Sequence, residues 1–95
     1  MKFPNVLIII LDATRPDYCS CYNPAQTVTP ALDALAEDGL LFQHAFACAP
    51  WTLPAVSAIL TGLYPSQTDI EARRGLAPTH LTLAARLKAH GYATF

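Results

Sequence analysis

Residues 5–11 read Asn-Val-Leu-Ile-Ile-Ile-Leu, an apolar run rich in β-branched side chains and closed by Asp12. Without alternation, such a run predicts a strand buried on both faces, as in a parallel sheet covered by helices. Residues 13–28 carry Pro16 and Pro24 among polar residues and predict a loop across the sheet's top edge. Thr29-Pro30 then opens a helix: threonine caps, proline takes the first helical position, and Asp33 falls in the first turn. Leu32, Leu35 and Ala36 form its apolar face, and Gly39 stops it. Residues 40–46 mix apolar and polar positions in short alternation and predict a second strand or extended segment. A loop over 47–53 leads to a short helix from Pro54 to Thr61, ended by Gly62. The polar stretch 66–78 predicts surface loop. Thr79 or Thr82 caps a last helix with Leu83, Ala84 and Leu87 inward and Gly91 at its close, and residues 92–95 begin another strand. This order of strands and helices is that of an α/β domain.

Hydrophobic residues make up 53% of the 95 positions and charged ones 14%, which excludes a disordered chain. So few charges on so small a chain, together with a strand opening at residue 92, predict that 1–95 is the N-terminal, incomplete portion of a larger catalytic domain. Alone, that portion is expected to self-associate through apolar surface. A net charge of −1 without a basic stripe offers no footprint for nucleic acid. The apolar run falls well short of the ~20 residues that span a bilayer. Lys2 is a lone positive charge and no small-residue cleavage site follows the run, so no export leader is expected and the chain reads as cytoplasmic. Three cysteines, with Cys19 and Cys21 one residue apart, form neither a disulfide framework nor a Cys-x-x-Cys pair. They are expected as reduced thiols packing as small apolar groups.

Two residues stand where chemistry is possible. Asp12 lies at the carboxyl end of the first apolar run, where open α/β sheets place ligands and where a carboxylate suits a metal ion. Thr52 precedes the helix at Leu53-Pro54, so backbone N–H groups and the helix dipole favour negative charge beside its hydroxyl. A loop-capping Asp and an N-cap Thr are the ordinary roles of such residues, and neither alone supports an enzyme. Their surroundings add more. Pro4-Asn-Val-Leu-Ile-Ile-Ile-Leu-Asp12, Thr29-Pro-Ala-Leu-Asp-Ala-Leu-Ala-Glu-Asp-Gly39 and Ala49-Pro-Trp-Thr-Leu-Pro-Ala-Val-Ser-Ala-Ile-Leu-Thr-Gly-Leu-Tyr-Pro65 resemble, in order and spacing, the start of the sulfatase family. The stretch from Leu81 to Thr94 is similar to that family's next helix and strand. The resemblance implies an alkaline-phosphatase-like fold, a mostly parallel sheet flanked by helices. It also implies a divalent metal ion (Ca²⁺, Mg²⁺, Mn²⁺ or Zn²⁺) and a small anionic ester as substrate.

This sequence departs from the family at informative positions. Members carry Cys-x-Pro-x-Arg nine residues ahead of the Thr in Leu-Thr-Gly, and the cysteine becomes formylglycine. Counting back nine from Thr61 reaches Thr52, with Pro54 at the motif's proline and Val56 in place of its arginine. Cys48-Ala-Pro also reads Cys-x-Pro, but thirteen residues before Thr61; Ala49-Pro50, usual just ahead of the nucleophile, supports Thr52 instead. Threonine cannot become formylglycine, yet superfamily members that cleave phosphate esters and phosphonates use a metal-activated Thr or Ser. The resemblance therefore implies Thr52 as nucleophile, and Asp12 and Thr52 as metal ligands, with phosphate or phosphonate esters ahead of sulfate. Many members have two consecutive aspartates after the first strand; here they are Asp12-Ala13. Asp12-Ala-Thr-Arg-Pro-Asp17 resembles a variant pattern in which Arg15 pairs with Asp17 or faces an anionic substrate, and Asp17 is a further possible ligand.

A second reading is a catalytically silent structural or binding piece of a sulfatase-like protein. A small nucleotide-binding domain fails for want of a Gly-rich loop after residues 6–11. His44 reads as a core residue, His80 and His90 as flanks of the last helix, Trp51 as packed or walling a pocket, and Arg73-Arg74 as a solvated loop pair.

Overall fold

The computed structural model describes residues 3–95 of the chain. Lys2 lies outside the described residues. Among the described residues, five helices and one 3-10 turn carry the regular structure: the turn Pro16–Tyr18, then α1 (Pro30–Asp38), α2 (Thr52–Thr61), α3 (Pro65–Thr68), α4 (Ile70–Arg73) and α5 (Leu83–Ala89). The chain divides into two compact units, Met1–Ala45 and Phe46–Phe95.

Among the described residues there is no strand, so the three expected strand segments (5–11, 40–46 and 92–95) are corrected to irregular backbone. A helix closes its hydrogen bonds within its own segment, whereas a strand needs a neighbouring strand to take its N–H and C=O groups. No described segment supplies one. The burial expected for residues 6–11 is overturned with the pairing: every residue of the run is exposed, from Ile10 at 43% to Leu7 at 83%.

In the first unit the apolar run leads through a turn at Asp12-Ala13 into the Pro16–Tyr18 turn and the segment before α1. Thr29 precedes α1 as expected, but its hydroxyl does not cap the helix. Thr29 Oγ1 instead accepts from the Ser20 N–H at 2.8 Å and shares a hydrogen bond with Ser20 Oγ at 2.8 Å, while the Thr29 N–H donates to Ser20 Oγ at 3.2 Å. This reciprocal clasp ties together two residues nine apart. Of the expected apolar face of α1, Leu32 and Ala36 are half-buried and Leu35 is 66% exposed. Gly39 follows the last helical residue, and the position requires glycine because a Cβ there would meet the Leu35 carbonyl oxygen at 2.9 Å. Cys19 is the unit's buried apolar residue; Cys21 is half-buried and Cys48, in the second unit, exposed, so the expectation of three packed thiols holds for Cys19 alone.

The second unit is built around α2, against which α3, α4 and α5 pack. Its core holds Pro54, Thr68 and Ile70, the last at 0% exposure. Segment 66–78, expected as loop, contains α4 and all of α3 except Pro65. Tyr64 and Gln67 start α3: the Tyr64 N–H donates to Gln67 Oε1 at 2.8 Å, and the Gln67 N–H to the Tyr64 carbonyl at 2.9 Å. Asp69, left-handed at φ 49, redirects the chain from α3 to α4 and so seats both Thr68 and Ile70. Gly62 ends α2 in the left-handed region at φ 72, its N–H returning to the Ala58 carbonyl at 2.8 Å. At α5, Thr82 rather than Thr79 is the cap, accepting from the Ala85 N–H at 3.3 Å. Leu83 and Leu87 of α5 are half-buried, whereas Ala84, expected inward, is exposed.

Candidate active site

α2 begins two residues earlier than its proline suggests. Trp51 occupies the capping position in extended backbone, and Thr52 is the first helical residue. Thr52 is therefore not an N-cap threonine, the ordinary role weighed above. Its hydroxyl lies on an exposed residue at the mouth of a ten-residue helix. The first helical rung is the Ala55 N–H to the Trp51 carbonyl at 3.3 Å. Ahead of it, first-turn N–H groups point outward from the helix end, the arrangement that stabilises charge developing on a bound anion. Pro54 contributes no N–H and instead anchors this end of α2 through its buried ring. Trp51 beside it is half-exposed.

Asp12 is exposed in the first unit, and the residue after it is unusual. Ala13 has φ 55, in the left-handed region. For a residue with a Cβ that conformation costs about 1–2 kcal/mol. Sequence gave no signal of this, because alanine carries none of the turn chemistry that Gly, Asn or Asp would announce.

Two residues further on, Arg15 is committed to Asp17. Its Nε donates to Asp17 Oδ1 at 3.0 Å and its Nη2 to Asp17 Oδ2 at 2.6 Å, a two-pronged ion pair. The guanidinium carbon also stands 5.0 Å from the centre of the Tyr18 ring, within cation–π range. Of the two roles open to Arg15, the structure holds the pair with Asp17. The hydrogen bond from Arg15, and then its charge, keep the Asp17 carboxyl below its ordinary value, and the same contacts raise Arg15. A lowered carboxyl favours the paired state at neutral pH and loses that contribution only as pH falls through the lowered value. Carboxyl NMR titration should place the Asp17 midpoint below that of an unpaired aspartate, and Arg15→Gln should return it to the ordinary range. An unchanged midpoint in the variant would rule the pair out in solution.

Asp12 and Thr52 belong to separate compact units. Their carboxylate and hydroxyl are oxygen donors of the kind a hard divalent cation takes, so they fit such an ion in chemistry. They fall short in number, since about six oxygens surround such an ion, and among the described residues no three His, Cys, Asp or Glu side chains group as a metal site. His44, expected in a core, is exposed. Arg73 ends α4, and Arg74 follows it exposed at φ 55, so the expected loop pair is half helical. No helix among the described residues is long and apolar enough to cross a membrane.

The family model described as Sulfatase matches residues 4–95. Similar curated proteins include a steryl-sulfatase of Mus musculus, 35% identical over 96% of this chain and 16% of its own length. An N-acetylgalactosamine-6-O-sulfatase of Bacteroides thetaiotaomicron is 33% identical over 96% of this chain and 19% of its own length. Arylsulfatase A of Homo sapiens is likewise 33% identical over 96% of this chain and 19% of its own. The chain thus spans less than a fifth of the length of these relatives. No solved structure matches it.

Proposed function

Because the chain belongs to the sulfatase family, we propose that it forms part of a hydrolase of small anionic esters in which the Thr52 hydroxyl is the nucleophile. The observation that carries this reading is the place of Thr52: nine residues before Thr61, directly after Ala49-Pro50-Trp51, and at the first position of α2. In the reaction, Thr52 Oγ gives up its proton and bonds to the phosphorus or sulfur of the ester as the bond to the leaving ester oxygen breaks. The ester oxygen leaves and takes up a proton, and water then releases the product from Thr52. First-turn N–H groups of α2 would face the charge that builds on the non-bridging oxygens.

Phosphate or phosphonate esters are favoured over sulfate, since threonine cannot be oxidised to formylglycine and Val56 stands in place of the arginine that accompanies it. Asp12 and Thr52 would hold a divalent cation (Ca²⁺, Mg²⁺, Mn²⁺ or Zn²⁺) together with ligands from outside these 95 residues. Such a cation, when bound, lowers the pKa of an attacking hydroxyl and offsets the anionic charge of the substrate. In the full-length protein, residues 5–11 would take their place as a strand in a mostly parallel sheet flanked by helices.

Two assays test the reading. A full-length protein should hydrolyse an aryl phosphate or aryl phosphonate with kcat/KM at least about tenfold above the matching aryl sulfate, a difference of about 1.4 kcal/mol in barrier. Turnover of the sulfate alone would return the chemistry to sulfate esters, and turnover of none would favour the silent reading. The 95-residue chain by itself should hydrolyse none of them with any divalent metal added. Turnover that survives repurification and disappears in Thr52→Ala would show the chain to be sufficient.

A further inference from the structure

We infer that Ala13 is a positioning residue for Asp12, acting through its left-handed backbone and not through its side chain. The inference rests on Asp12 being the metal ligand proposed above. Three described residues other than glycine have positive φ: Ala13, Asp69 and Arg74. Asp69 and Arg74 bracket α4, where they start and stop a one-turn helix whose first residue, Ile70, is fully buried. Asp69 is also of a residue type that tolerates the conformation. Ala13 has none of these reasons. It bounds no helix, it is exposed, and a glycine there would take the same φ without penalty. An unfavourable conformation that neither packing nor helix termination explains is a sign of function when it adjoins a reactive group.

The geometry says what it accomplishes. In continued strand backbone, side chains at 12 and 14 would follow one another on the same face while the chain ran straight on. A left-handed residue at 13 breaks that progression directly after Asp12, so the residue that closes the apolar run stands in a turn. Glycine at 13 preserves access to this turn; a β-branched residue, which disfavours positive φ far more than alanine, does not.

The test is binding of Ca²⁺ or Mg²⁺ alone to the full-length protein, measured calorimetrically without substrate and set beside the melting temperature of each metal-free variant. Ala13→Gly should bind within about twofold of the parent, whereas Ala13→Val should bind about 10–100-fold more weakly, the loss typical when support of a ligand is removed. The metal-free melting temperature of Ala13→Val should fall by the strain of a β-branched residue at positive φ and no more, because position 13 is exposed and no packing is lost. Ala13→Thr, β-branched but polar, replaces Ala13→Val should that variant fail to fold. If Asp12→Ala loses the metal while the β-branched variants keep it, the positioning role is refuted and Asp12 stands as a ligand. If Asp12→Ala binds as tightly as the parent, the reading of Asp12 fails and the role of Ala13 with it.

Discussion

Thr52→Ala in the full-length protein should lower kcat/KM on its best ester by at least about three orders of magnitude, while Cys48→Ser should leave it within about twofold. Removing a nucleophile deletes the bond-forming atom itself, and the residual rate then comes from binding and electrostatics alone, which in hydrolases leaves a deficit of that size or larger. Position 52 tolerates the change structurally: Thr52 is exposed, it is the first helical residue and not the capping one, and alanine is the best helix former at a helical position. The helix itself is held by the buried Pro54 ring and the α3 and α4 packing behind it. Circular dichroism should therefore be unchanged while activity is lost. Cys48 is exposed in irregular backbone ahead of α2, so exchanging sulfur for oxygen there disturbs neither packing nor chemistry. A lethal Cys48→Ser with a tolerated Thr52→Ala would reverse the register and restore a cysteine-derived nucleophile.

The second large effect concerns the 95-residue chain on its own, which should self-associate into particles several-fold heavier than 10.3 kDa at micromolar concentration. Its accessible surface is 8031 Å². A compact protein of this mass exposes about 5,400 Å², and even two separate compact units of half the mass would expose only about 6,500 Å². Much of the surplus is apolar: Phe3, Val6, Leu7, Ile8, Ile9, Ile10 and Leu11 are all exposed, in a stretch without charge until Asp12. Six or seven consecutive residues of high β propensity and no charge are the pattern that pairs edge to edge between chains. Light scattering and sedimentation read the outcome directly, and thermal unfolding should lack a sharp transition. Leu7→Lys places a charge in the middle of the run and should shift the distribution toward monomer. A monodisperse 10.3 kDa monomer with cooperative unfolding would overturn the expectation.

What could be read in advance divides by the range of the forces involved. α1, α2 and α5 were legible because their ends are written locally: Thr29-Pro30 and Gly39, Gly62 in the left-handed region, Thr82 and the glycine beyond His90. The expected α2 is two residues short because a proline marks a helix's first turn without marking its first residue: it is tolerated throughout that turn, where its missing N–H has no rung to make. α3 and α4 were invisible because one turn is too short for a 3.6-residue rhythm, and the residue that joins them, Asp69, carries its message in a backbone angle. The strand segments failed for the opposite reason. Residues 6–11 have strand composition, but a strand exists only with a partner, and composition does not state where the partner is. At the site, Thr52 was legible from spacing and Arg15–Asp17 from proximity, whereas the left-handed Ala13 left no trace in residue type.

The Ser20–Thr29 clasp bears on how this stretch of chain can be lengthened. Its hydrogen bonds hold the two ends of the segment at fixed separation, and Asn23 secures the near half by donating from Nδ2 to the Asp17 carbonyl at 3.0 Å and accepting from the Ala25 N–H at 3.1 Å. Thr27 and Val28 beyond it are exposed. Extra residues introduced between them would leave both the Asp12–Asp17 turn and the start of α1 where they are, at a closure cost that grows by only about 0.6 kcal/mol for each doubling of loop length. An epitope or a fluorophore-bearing cysteine grafted there would thus report on the protein without pulling on its candidate chemistry.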